Sequence, residues 1–169
     1  MDHRYIISAL ENNLSVFTSL LRKSNPDEYL YKRDTDSWSM LEIVCHLVDE
    51  EREDFRMRLQ TVLSAPFKHP PHIDPEGWVL KRDYINQDYG LKVNAFIEER
   101  QSSISYLKTL TDPQWTNYYE HPVLGNLDGN HFLANWLAHD YLHIRQLTQR
   151  KYQYLQHMSG NACDYAGVW

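Results

Sequence analysis

Apolar residues recur at helical spacing in four long stretches, and no stretch gives the bounded, alternating, β-branched runs expected of strands. The first covers about residues 3–23, where Ile6, Leu10, Leu14, Phe17 and Leu21 form a stripe that stops before Asn25-Pro26. The second, about 39–65, opens at "DSWSMLE", with Glu42 three residues after Ser39 in a capping-box arrangement. Its wide apolar face includes Ile43, Val44, Leu47, Val48, Phe55, Leu59 and Val62. The third, about 89–111, carries Val93, Phe96, Ile97, Ile104, Leu107 and Leu110, and the fourth spans about 130–151.

Between the second and third stretches the periodicity fails. "PFKHPPHIDPEGW" holds four prolines and a glycine in thirteen residues, which excludes a regular helix and makes residues 66–88 a long loop of the kind that often carries function. A second loop, "YYEHPVLGNLDGN", leads into the fourth helix. The pattern predicts an all-α four-helix bundle with long crossover loops, one domain over 1–169 with a tail at 152–169. At 169 residues, 42% of them hydrophobic, the chain is long enough for one real core.

Charge narrows the partners. Seventeen basic against twenty-three acidic residues give a net charge of −6 without a clustered Lys/Arg stripe, which argues against nucleic acid. The charged N-terminus lacks an apolar leader, and no run approaches the roughly 18 apolar residues of a membrane span, so a cytoplasmic protein with no membrane partner is expected. Cys45 and Cys163 are far apart and outside any C-x-x-C pattern, so they read as reduced structural residues.

The chemistry lies in "HDYLHIRQL". His139 and His143 are four apart and share the helical arc of Phe132, Trp136 and Leu147, so they face the core. Buried imidazoles need partners. A shared metal ion supplies one, and separate hydrogen bonds for two core histidines supply another. A third ligand would decide, and of the other seven histidines only His46 lies inside another long helix, at the flank of its apolar arc. Spacing permits an inward His46 and does not demand it.

"WSMLEIVCHLVDEE" resembles the second-helix signature of the DinB-like four-helix-bundle proteins, and "HDYLHIRQL" resembles their fourth-helix His-x-x-x-His-x-x-Gln. "IDPEGWV" and "HPVLGN" are similar to loops of the YfiT-like bacillithiol S-transferase subgroup. The resemblance implies that His46, His139 and His143 bind one divalent ion, zinc or nickel, in the bundle core. Three imidazoles leave an open coordination position, the arrangement of a catalytic site. The chain departs from the subgroup at Cys45, at Tyr141-Leu142 and at Glu51, where the subgroup carries a further histidine.

Around such a site Glu50, one turn after His46, is placed to accept from an imidazole or a bound water, and Asp49 matches an acidic position of the family, although the run "DEERED" also reads as a solvated face. Arg100 falls in the seam of Phe96, Ile104 and Leu107, where a buried guanidinium needs an acid or an anionic substrate. Trp78 is a candidate wall over the metal. The leading expectation is a metal-dependent thiol S-transferase or hydrolase acting on a small molecule, with a low-molecular-weight thiol as candidate donor, Arg100 holding its carboxylates, and a homodimer as assembly. The alternative is a non-catalytic metal-binding or stress-associated bundle.

Overall fold

The computed structural model describes residues 1–167 and 169. Four long helical runs form the bundle: α1 (His3–Leu21), a composite second run, α6 (Tyr89–Thr109) and α7 (Gly129–Ser159). The second run is α3 (Met40–Asp49), a π-helical segment (Glu50–Arg56) and α4 (Met57–Ser64) in direct succession. Two short helices, α2 (Pro26–Tyr29) and α5 (Pro75–Lys81), lie in the connections.

Side-chain caps at the helix starts follow the sequence. Asp2, Asp88 and Asp128 accept from the N–H three residues on, and Ser39 and Glu42 form the reciprocal capping box. The stripe of α1 buries Ile6, Leu10, Phe17 and Leu21, and it packs against α6 and α7. The run from α3 to α4 also packs between α6 and α7, so the first and second long helices stand diagonally across the bundle. Residues 22–39 therefore cross the bundle end instead of making a tight turn between neighbours.

Three expectations change. The fourth helix does not end near residue 151 but runs on to Ser159 and stops at Gly160, whose φ of +64° suits a residue without Cβ. Packing of Tyr154 and His157 on Tyr31, and the Lys151–Glu28 ion pair at 2.7 Å, give these extra turns something to lie on. The second loop contains two short strands, β1 (Tyr118–His121) and β2 (Gly125–Asp128), paired antiparallel with Tyr119 opposite Leu127. Four-residue strands are too short to show an alternation, and they hold because Tyr119 and Leu127 are buried beside Phe132. The proline-rich loop carries α5, which starts on the Asp74 cap with Pro75 in its first turn.

Candidate metal centre

His46 on α3 and His139 and His143 on α7 meet between two neighbouring helices. The Nε2 atoms of His139 and His143 are 3.0 Å apart, and that of His46 is 3.4 Å from His139. Each residue has a ligand atom within 4.8 Å of the others'. Metal–nitrogen bonds of about 2.0–2.1 Å in tetrahedral array place ligand nitrogens roughly 3.3 Å apart, so the spacing suits one ion. The cluster lines a cleft of about 600 Å³ whose other walls are Trp38 and residues 72–76 of the proline-rich loop.

The protonation states agree with the geometry. Burial, then the neighbouring His143, pushes His46 down to about 3. Burial followed by His143, His46 and Arg100 holds His139 well below its ordinary value, and burial lowers His143 too. All three are neutral at pH 7, the form that ligates. Gln146 Oε1 accepts from His143 Nδ1 at 2.8 Å, which fixes the proton there and leaves Nε2 as a lone pair aimed into the cluster. Three facing ring nitrogens cannot all be satisfied by one another's protons, whereas a divalent ion satisfies them together.

The acidic run is not a solvated face, because Asp49, Glu50 and Glu51 are buried. Asp49 takes the Tyr84 hydroxyl at 2.6 Å and Arg82 at 2.7 Å, tying down the loop after α5. Glu53 takes Arg82 and Arg52, Asp54 takes Arg58, and Glu51 takes Arg100. Glu50 alone has no Lys or Arg partner among these acids, and its Oε2 lies 3.9 Å from His139 Nε2 while its Oε1 is buried without a hydrogen bond. Burial first, and then the Asp54 carboxylate, push the Glu50 carboxyl up to about 8. The π turn that begins at Glu50 adds a residue to the helical repeat and brings Glu50, Glu51 and Phe55 inward together.

Arg100 does not face the cleft. Its guanidinium is 1% exposed and closed by both oxygens of Glu51 and both of Asp140, with the Leu10 carbonyl as a further acceptor. That geometry corrects its assignment as a holder of substrate carboxylates, since its donors are already taken. Sequence reasoning missed Asp140 and Glu51 as its counter-ions, although the need for a buried acid near Arg100 was the available signal. Trp78 does not wall the cleft either. It is in the core with Arg82 stacked 4.1 Å over its ring, and Trp38, whose ring centroid is 5.0 Å from that of His46, takes the place. His72 lines the cleft without joining the triad. Cys45 is buried, and burial lifts its thiol to about 12, which leaves it structural.

The model of the DinB superfamily matches residues 9–147. No curated protein matches the sequence. Among solved structures the chain is similar to YfiT from Bacillus subtilis, described as "a probable metal-dependent hydrolase with an unusual four-helix bundle topology", with a TM-score of 0.78 and 18% identity over 95% of this chain and 89% of that one. At that identity the likeness is one of fold.

Proposed function

This chain belongs to the DinB superfamily, and on that footing we propose that it is a metal-dependent hydrolase of a small-molecule ester or amide, with His46, His139 and His143 as ligands of one zinc or nickel ion. The observation that carries the reading is the convergence of three neutral imidazoles beside a buried carboxyl that has no Lys or Arg partner, at the floor of an open cleft. A divalent ion held there supplies Lewis acidity, acidifying a nucleophile and polarising a carbonyl. The charge of a bound ion would favour the ionised carboxylate over the protonated form held by the metal-free chain, and in that state Glu50 would accept the proton of the attacking water and return it to the leaving group. Trp38 and residues 72–76 form the remaining walls of the cleft and would bear on the substrate.

Thiol transfer is the second reading, and one observation favours it. Arg150 lines a neighbouring cavity that shares Trp38 with the cleft, together with Asp34 and Asp36, and places a cation other than Arg100 near an anionic thiol. Both readings retain a small-molecule substrate, a cytoplasmic location and no nucleic-acid partner. Exposed Tyr141 and Leu142 on α7 support a homodimer. Among the described residues no helix is long and apolar enough to cross a membrane.

The test is to load the protein with zinc or nickel and assay a panel of aryl esters and amides, then a panel of thiols with a halogenated aromatic electrophile. Hydrolysis that falls about 100-fold or more in Glu50→Gln with metal content unchanged supports the hydrolase. Conjugation that depends on His143 but not on Glu50 supports the transferase. No turnover in either panel, with one ion bound, favours the non-catalytic metal-binding bundle.

A further inference from the structure

A second cavity lies against the first. It has a volume of about 300 Å³ and runs between α7 and the π segment, roofed by the β1–β2 hairpin. Its floor is made of Phe55, Leu127 and Phe132, all buried, and Ile73 of the proline-rich loop is a wall of both cavities. Phe55 stands between them, with its ring 4.9 Å from that of His139. On α7 the lining residue Asn135 is one turn before His139, a rise of about 6 Å along the same face.

We propose that this cavity is the specificity pocket for the apolar arm of the substrate, which passes under Ile73 from the three histidines to the Phe55–Leu127–Phe132 floor. The proposal rests on the reading of the histidine cluster as the reacting centre. The arm is phenyl-sized or a branched aliphatic group. An apolar cavity of about 150 Å³ is enough to hold benzene, and the larger volume here admits a substituted ring. Most polar side chains of the lining are already engaged, with one another or with the backbone. His121 spends its Nδ1 on the Val123 and Leu124 N–H groups, Arg58 is paired with Asp54, and the Asn135 amide N–H is given to the His131 carbonyl. Phe55, Leu127 and Phe132 therefore offer shape and apolar area, with few polar groups left free to select a ligand by polarity. The separation of the cavities sets a length requirement. The apolar group must begin about one helix turn from the scissile bond, so substrates with the ring directly on the reacting carbonyl fit worse than those with a spacer of two or three atoms.

The test separates this pocket from the metal chemistry by using chelator-treated full-length protein and 4-fluorobenzyl alcohol as the probe, followed by ¹⁹F resonance broadening and by intermolecular contacts to the methyl groups of Ile73 and Leu127. Saturable binding with both contacts is expected. Asn135→Trp, a change at an exposed position on the rim, should weaken it at least tenfold, and His143→Ala should leave it unchanged. Absence of saturable binding, contacts to neither methyl group, or equal binding by Asn135→Trp would overturn the proposal. Binding as expected in a protein that hydrolyses nothing would sustain the pocket and remove the hydrolase reading alone.

Discussion

The guanidinium of Arg100 and the carboxylate of Asp140 meet at 2.7 Å in the middle of the bundle, and Asp140 is the residue next to His139. Glu51, the residue next to Glu50, holds the other side of the same guanidinium. Asn13 of α1 donates to Asp140 and Trp136 donates to Glu51, so one buried network joins all four long helices directly beneath the histidine cluster. Charges this deep are stable only when paired, which gives the network one favourable alignment of the helices.

Replacing Arg100 by Met leaves two buried carboxylates without a cation. A loss of about 3–5 kcal/mol is expected on urea unfolding. Adding Glu51→Gln and Asp140→Asn to the same chain should recover part of that loss, since the unpaired charges go with them. A single Arg100→Met variant as stable as the parent would show that the network does not fix the bundle.

His46→Ala, His139→Ala and His143→Ala should each reduce the bound metal from about one ion per chain to well below half at micromolar protein, because each removes one of three protein ligands. Elemental analysis after gel filtration reads this directly. Retention of a full equivalent by His46→Ala would break the cross-helix site.

Gln146→Leu removes the acceptor that orients His143 and leaves every ligand in place. Metal affinity is expected to fall about 10–100-fold by competition with a chelating dye, with the helical circular dichroism unchanged. Unchanged affinity would mean that packing alone holds the imidazole.

The pH dependence of the metal-free protein has two opposed arms. His46 is pushed down to about 3 in the folded chain, so between that value and about 6.5 the unfolded chain binds more protons, and the stability is complete above about pH 6.5 and lost on acidification. Glu50 is pushed up to about 8, so the folded chain holds a proton that the unfolded chain has released, and stability falls as pH rises from about 4.5 to 8. Urea midpoints from pH 5 to 9 should decline above pH 6.5 in the parent and level off in Glu50→Gln. A parent that gains stability between pH 6.5 and 8 would contradict the protonated, buried Glu50.

Apolar periodicity was enough to place the four long helices, because each buries a stripe that recurs every three to four residues, and the Ser39–Glu42 box and the prolines marked where helices begin and stop. The same periodicity put His139 and His143 on one inward face, since a spacing of four is a local property of a helix. It could not bring His46 to them. That meeting depends on which long helices are neighbours and at what height they pack, which the diagonal placement of α1 and α3 and the Arg100 network decide. The roles of the acidic run were hidden for a similar reason. Whether Glu50, Glu51 and Asp49 face water or the interior depends on the π turn and on cations 33 and 49 residues beyond their acids, Arg82 and Arg100, and no local pattern records a partner at that distance.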